Sequence, residues 1–124
     1  MRIFKTKPFA RFSGDEGISD GELCAAVQRA EKGLIDADLG GGVIKQRVAR
    51  EGQGKSRGFR TIILFRHADK AFFAYGFAKS DRGNINRDEL KAYRKLAGIL
   101  LGLDGRALEA AIRNGTITEI TGHG

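Results

Sequence analysis

Residues 60–79 of the sequence read RTIILFRHADKAFFAYGFAK. Arg60–Arg66 is rich in β-branched residues and Lys70–Lys79 is apolar at most positions, so both segments predict β-strands. The residues between them, His67–Asp69, have the length of a hairpin loop. A strand that is apolar on both faces is expected in the covered part of a sheet. We therefore predict an antiparallel hairpin with a buried second strand, around which the rest of the chain is arranged.

Further strands and helices follow from the apolar periodicity on either side of this hairpin. The remaining predicted strands are Met1–Lys5 at a sheet edge, Val43–Arg50 and Thr116–Ile120, with Leu34–Leu39 a short strand or an extended turn. The predicted helices are Asp20–Lys32, a segment from Asn86 through Leu101, and a last helix capped by Asp104. Near Pro8 only a helical turn is expected, before a loop over residues 13–17.

The order of these elements predicts an α+β fold, in which helices pack on one face of a small antiparallel sheet. The other face is then expected to be open and basic, and Arg60 on such a face would not be buried. The length of 124 residues fits one domain over 1–124, with a possible helical or extended C-terminal extension at 103–124.

Composition and local sequence patterns indicate the cellular compartment in which the protein is expected. No apolar run approaches the roughly 18 residues that a membrane span needs. The N-terminus alternates charges with aromatic residues and lacks the core of a signal peptide, so a cytoplasmic protein is expected. The single cysteine, Cys24, falls on the apolar side of a predicted helix and is interpreted as a small buried hydrophobe.

The net charge of +7 is concentrated in the middle third of the chain. Residues 43–82 carry ten basic and three acidic side chains, whereas residues 1–42 carry six and seven, and residues 83–124 carry six and five. A confined basic stretch is typical of a protein that binds a polyanion. A solvated strand face would produce the same charge pattern, so charge alone leaves both interpretations open.

A glycine-rich segment, GQGKSRGFR at residues 52–60, lies within this basic third. It does not have Walker spacing, because Ala49 stands where the first glycine would be and the segment leads into a strand. Nucleotide binding is therefore rejected. The segment and the strand before it bring together a set of cationic side chains, namely Lys45, Arg47, Lys55, Arg57 and Arg60.

Residues 43–95 resemble RelE/HigB-type toxins of type II toxin–antitoxin systems. The resemblance is carried by the turn GKSRGFR at 54–60 and by the run YGFAKSDRGNI at 75–85. It implies a ribosome-dependent mRNA endonuclease with a small sheet and flanking helices. It also implies an antitoxin partner, which in the HigB branch usually has a helix-turn-helix DNA-binding domain.

The resemblance also points to individual site residues. Arg60 matches the family arginine that binds the scissile phosphate. Lys79 and Arg82 match the basic residues that follow the central strand, and the resemblance implies that they take part in catalysis. Lys45 and Arg47 lie on the strand where relatives place catalytic or phosphate-binding lysines.

One position departs from the family pattern. Many relatives carry a catalytic tyrosine shortly after the second motif, and Asn86 stands near that place here. Tyr93 lies deeper in the predicted helix and is interpreted as a core residue. The complete chemistry of the family therefore does not transfer directly to this chain.

The physical demands of RNA cleavage fit these residue types. The 2′-hydroxyl of RNA attacks the adjacent phosphate, so the enzyme has to align it, stabilise negative charge and move two protons. Arginine suits the charge role, and a lysine crowded by cations can act as a base, with Lys45 and Lys55 as candidates. Arg47 and Arg57 are expected to bind RNA phosphates. No metal or other cofactor is expected, and His67 is interpreted as a bystander in a hairpin loop.

Two other functions stay open at this stage. A ParE-like toxin on the same scaffold would inhibit DNA gyrase by protein contact, without catalysis. A plain RNA-binding module would share the basic cluster but cut nothing. The convergent basic cluster favours RNA over gyrase as the target, because a gyrase binder does not require it.

Overall fold

The computed structural model describes residues 1–50 and 54–121, and within these ranges all side chains except those of residues 50 and 54–57. The elements of the described chain, in order, are β1 (Arg2–Thr6), α1 (Lys7–Glu16), α2 (Asp20–Glu31), β2 (Ala37–Gly40), β3 (Val43–Arg50), β4 (Gly54–Arg66), β5 (Lys70–Ala78), α3 (Arg87–Leu101), α4 (Gly105–Arg113) and β6 (Ile117–Ile120).

The strands form one sheet in the order β2-β3-β4-β5-β1-β6. Neighbouring strands are antiparallel except β1 and β5, which are parallel. The predicted strands β3, β4 and β5 lie side by side, and the predicted hairpin joins β4 to β5 through a turn in which Ala68 has a left-handed φ of 59°. The predicted α+β class with a mostly antiparallel sheet is confirmed.

The prediction that the first strand lies at a sheet edge is wrong. β1 lies between β5 and β6, and its Ile3 and Phe4 are both fully covered, with exposed fractions of 2% and 0%. A strand that buries consecutive side chains needs cover on both faces and on both sides. The short β6 from the end of the chain supplies the outer neighbour of β1.

The first helix is also longer than the sequence predicts. α1 begins after Thr6, whose hydroxyl accepts from the N–H of Phe9, and ends at Gly17, which has a φ of 68°. The expected loop over residues 13–17 is helical up to residue 16, although Gly14 lies inside it. Burial of Phe9 against Phe73, with ring centroids 5.0 Å apart, stabilises the helix by more than the roughly 1 kcal/mol that an internal glycine costs.

Helices cover both faces of the sheet, so the prediction that they pack on one face is wrong. On one face, which we call the α1 face, α1 and α2 pack on alternate strand residues such as Ile63 and Phe73. On the other, the α3 face, α3 and α4 pack on the intervening residues such as Ile62 and Phe72. The physical reason lies in β1, β4 and β5, which are apolar at consecutive positions and require cover on both sides.

A β-bulge in β5 changes which side chains face α3. Ile63 pairs with Phe73 and Ile62 pairs with Tyr75, so one residue of β5 is skipped between them. As a result Tyr75 joins the core of the α3 face, and Gly76 turns toward α1, where an added Cβ would come within 2.4 Å of the Phe12 ring. Bulges commonly redirect side chains in this way next to functional sites.

Candidate functional site

Polar side chains replace the apolar core of the α3 face beyond Ile62. Arg47, Arg60 and Phe77 are direct cross-strand partners on β3, β4 and β5. Such partners share a face and place their Cβ atoms about 5 Å apart. The next row on the same face consists of Lys45, Ile62 and Tyr75. The structure therefore brings three of the predicted site residues together on one face.

Arg60 lies in the middle of this arrangement and is half-buried, neither part of the buried core nor fully open to solvent as an open sheet face would leave it. Its Nη1 atom is buried and makes no hydrogen bond to any described residue. A buried N–H without an acceptor costs free energy, more so when it carries charge. A phosphate oxygen is the kind of acceptor that satisfies an arginine in this setting.

Arg47 is exposed and forms hydrogen bonds with Asp36. Its Nη2 donates to Asp36 Oδ1 at 3.3 Å, and its backbone N–H donates to Asp36 Oδ2 at 2.6 Å. Burial raises the pKa of the Asp36 carboxyl, but the hydrogen bonds from Arg47 outweigh burial and hold that pKa below its usual value. From α2, Arg29 donates to the Arg47 carbonyl at 2.5 Å. Arg47 therefore lies at the site with a carboxylate already bound to it.

Arg82 reaches the site from the loop between β5 and α3. Its guanidinium lies 5.8 Å from the ring centre of Tyr75 and 5.7 Å from that of Phe77. It donates to the Asn84 carbonyl at 2.9 Å, to Tyr75 Oη at 3.2 Å, and to both Glu89 carboxylate oxygens at 3.0 and 2.6 Å. These hydrogen bonds, with Glu89 first, raise the pKa of Arg82 and lower that of Glu89. Together Lys45, Arg47, Arg60 and Arg82 form what we call the cationic site.

The predicted lysines differ from Arg47 and Arg82 in their bonding. Lys45 is half-exposed and Lys79 is exposed just past β5, and neither ammonium group bonds to another described residue. The side chains of Lys55 and Arg57 lie outside the described residues, so the structure does not test those two predictions.

Asn86, which stands near the family's tyrosine position, caps α3. Its side chain accepts from the N–H of Glu89 at 2.8 Å, and Glu89 Oε1 accepts from the N–H of Asn86 at 2.8 Å. Farther along α3, Tyr93 is half-buried and its ring stacks on Tyr75 with centroids 6.1 Å apart. Burial raises the pKa of Tyr93 to about 12. Tyr93 packs against the core of the α3 face, as the sequence predicted.

Sequence reasoning missed three residues of the site. Tyr75 was not singled out, because the bulge that brings it to the α3 face has no clear sequence signal. Asp36 lies in the segment between α2 and β2, and its partner is a residue of a neighbouring strand. Glu89 is not among the predicted site residues, although it follows Arg82 by only seven residues in the sequence.

Two further features lie away from the cationic site. A cleft of about 490 Å³ opens at the end of the α1 face, lined by Glu16, Ile18, Glu22 and Phe59 among others. His67, at the hairpin turn, is 70% exposed, and its Nε2 lies 3.1 Å from the carbonyl oxygen of Glu31. This position agrees with the interpretation of His67 as a bystander.

Comparison with known proteins identifies the family. The model of the RelE toxin of the RelE/RelB toxin–antitoxin system matches residues 1–120. A search of curated proteins gives no match. None of the helices in the described ranges is long and apolar enough to cross a membrane. Because the family match covers almost the whole chain, this protein belongs to the RelE toxin family and is the toxin component of a toxin–antitoxin system.

Proposed function

We propose that this toxin is a ribosome-dependent endoribonuclease, which inhibits translation by cutting mRNA on the ribosome. The observation that carries the proposal is the buried Nη1 of Arg60, which has no acceptor among the described residues and lies on a face with other cations. A fold gains nothing in stability from such a group, whereas a phosphate-binding site requires one.

The proposed chemistry uses the 2′-hydroxyl of the RNA as nucleophile. Its oxygen attacks the adjacent phosphorus, the bond from phosphorus to the 5′-oxygen breaks, and the products are a 2′,3′-cyclic phosphate and a 5′-hydroxyl. Arg60 binds the scissile phosphate and stabilises its developing charge. The proton of the 2′-hydroxyl passes to a neutral amine, for which Lys45 and Lys55 are the candidates, and the leaving 5′-oxygen takes up a proton from water. No step requires a metal ion.

The remaining cations have supporting roles in this proposal. Arg47, Arg57, Lys79 and Arg82 contact phosphates around the scissile bond and hold the strand in register. Such contacts release counterions, so the affinity for RNA falls as salt rises. A cognate antitoxin, of the helix-turn-helix kind that the family resemblance suggests, neutralises the toxin by covering this face or by preventing it from docking on the ribosome. The ribosome as target places the toxin in the cytoplasm.

The test is cleavage of a reporter mRNA in a reconstituted translation reaction, with cuts located by primer extension. Wild-type toxin should cut the mRNA when ribosomes are present, and Arg60→Ala should cut none of it at the same concentration. Arg11→Ala is the matched control, since Arg11 is exposed on α1 and bonds to no described residue. Circular dichroism spectra should show that both variants are folded.

Three outcomes would contradict the proposal. A folded Arg60→Ala variant that cuts at the wild-type rate would remove Arg60 from the site. A wild-type toxin that leaves mRNA intact but blocks supercoiling by purified gyrase would establish the ParE-like function instead. Binding without cutting would show an RNA-binding module.

A further inference from the structure

The arginines of the cationic site differ in whether a carboxylate neutralises them. Arg47 has an ion pair with Asp36 at 3.3 Å, and Arg82 has one with Glu89 at 2.6 Å. Arg60 pairs with no carboxylate among the described residues. The site therefore contains three arginines, of which two already carry a counter-ion.

The hydrogen bonds of Arg82 show how complete this neutralisation is. A guanidinium has five N–H donors. Its Nε–H is bound to the Asn84 carbonyl, the two N–H groups of Nη1 to Tyr75 Oη and Glu89 Oε2, and one N–H of Nη2 to Glu89 Oε1. A single donor is left, so Arg82 cannot present the two parallel N–H groups of a bidentate phosphate contact while Glu89 stays in place.

The position of Arg82 does not depend on Glu89 alone. The Asn84 carbonyl, the Tyr75 hydroxyl and the rings of Tyr75 and Phe77 also hold its guanidinium. Loss of the Glu89 charge should therefore leave Arg82 over the two rings and free its donors. The distinct contribution of Glu89 to this network is its negative charge.

We propose that Asp36 and Glu89 are specificity-determining residues, which keep the affinity of the toxin for free RNA low and so restrict cleavage to mRNA held by the ribosome. The inference rests on the proposed function. RNA affinity rises with the number of phosphates that cations neutralise, and a cation already paired with a carboxylate must first lose that partner. When the toxin meets free RNA, Arg60 is therefore the one of these three arginines that binds a phosphate without first losing a carboxylate partner. On the ribosome, contacts elsewhere hold the mRNA at the site, so its phosphates replace Asp36 and Glu89 as the partners of Arg47 and Arg82.

The test measures binding of the full-length toxin to a 12-nucleotide single-stranded RNA, made uncleavable by 2′-O-methyl sugars, over a series of salt concentrations. Glu89→Gln removes the charge and keeps the cap of α3, because glutamine also accepts from the N–H of Asn86. We expect this variant to bind about tenfold more tightly at low salt, and the slope of log affinity against log salt to steepen by about 0.7, the contribution of one further phosphate contact in a single strand.

Asp88→Asn is the matched control. Asp88 lies beside Glu89 in the first turn of α3, is exposed, and bonds through its side chain to no described residue. Asp88→Asn removes one negative charge from the first turn of α3, as Glu89→Gln does. It therefore measures the general effect of one lost negative charge at this helix terminus. We expect less than about a twofold gain for this variant. Asp36→Asn tests the second counter-ion independently and should bind several-fold more tightly than wild type.

Cleavage gives a second readout. With an unmodified RNA and no ribosomes, Glu89→Gln should cut detectably where wild type does not. A folded Glu89→Gln that binds no more tightly than Asp88→Asn, or more weakly than wild type, would overturn the inference. The proposed function is judged separately, by whether wild-type toxin cuts mRNA on ribosomes, so the failure of one is distinguishable from the failure of the other.

Discussion

Two adjacent cross-strand pairs of β3 and β4 lie on opposite faces of the sheet. They differ in whether their polar side chains are fully hydrogen-bonded. Gln46 and Thr61 face the α1 face and are fully buried, and their side chains are hydrogen-bonded. Arg47 and Arg60 face the α3 face, where two like charges lie directly opposite each other and Arg60 Nη1 has no described acceptor. Like charges in this position destabilise a sheet.

Under the proposed function, this difference separates a face that serves stability from one that serves binding. The Gln46 amide accepts from the N–H of Asp36 at 2.7 Å and donates to the carbonyls of Ala26 and Leu34 at 3.0 and 3.2 Å. It thereby joins α2, the following loop and β3. On the other face, the buried Nη1 of Arg60 lacks an acceptor at a cost in stability, and in the proposed function an RNA phosphate supplies that acceptor. Such a trade-off between stability and activity is common at functional sites.

The largest expected effect comes from Arg60→Met, which keeps an unbranched apolar stem in place of the arginine side chain and removes its charge. Cleavage of mRNA on ribosomes should fall by about 10²–10³-fold or more, as when one charge-stabilising donor is lost from an active site. Stability should stay the same or rise by about 1 kcal/mol, because a half-buried charge with one buried, unsatisfied nitrogen is removed. Urea unfolding and primer extension measure the two quantities on the same preparation.

Arg11→Met is the control for this substitution, and both its activity and its stability should match wild type. If Arg60→Met is instead strongly destabilised, Arg60 holds the fold together and the contrast between the two faces is wrong.

The second-largest effect is expected from a substitution on the α1 face. Gln46→Ala removes three hydrogen bonds of a buried amide and leaves one backbone N–H and two carbonyls without that partner, so it should lower the free energy of unfolding by about 3 kcal/mol. The cleavage rate per folded molecule should change little. Gln28→Ala, at an exposed position on α2, should change stability by less than about 0.5 kcal/mol. Equal stabilities of the two variants would show that the Gln46 network does not hold α2 to the sheet.

The smallest effect is a titration at alkaline pH. Burial raises the pKa of Tyr93 from an ordinary value of 10.0 to about 12, so the folded chain keeps this proton while the unfolded chain loses it. Stability from this source is unaffected below pH 10 and is lost as the pH rises through about 12. Absorbance at 295 nm should show a late phenolate step that Tyr93→Phe removes. A single early step for both tyrosines would place Tyr93 outside the covered part of the α3 face.

Local sequence patterns predicted the elements that local chemistry determines. β3, the β4–β5 hairpin and the start of α4 after Asp104 follow from alternation, loop length and a capping residue near in sequence. The role of Arg60 was also suggested by the sequence, through a motif and a concentration of charge. The expectation of an open face for Arg60 was wrong only in degree, because the same row of the sheet half-buries it.

The errors concern contacts between distant parts of the chain. The neighbours of β1 are β5 and β6, which follow it by more than 60 residues, so no local pattern shows that it is central. Cover on both sheet faces follows from where α3 and α4 pack, and the pairing of Arg82 with Glu89 follows from the turn of the chain between them. Tyr75 reaches the site through a bulge, whose place depends on the register with β4.

The most direct test of the central claim is the chemistry of the cut mRNA ends. Cleavage through the 2′-hydroxyl should leave a 2′,3′-cyclic phosphate, or the 3′-phosphate formed by its opening, together with a 5′-hydroxyl. A 2′-O-methyl sugar placed 5′ to the scissile phosphate should block cleavage on ribosomes, while the same modification one nucleotide farther on should not. Cuts that persist at the blocked position, or products with a 5′-phosphate, would contradict the account.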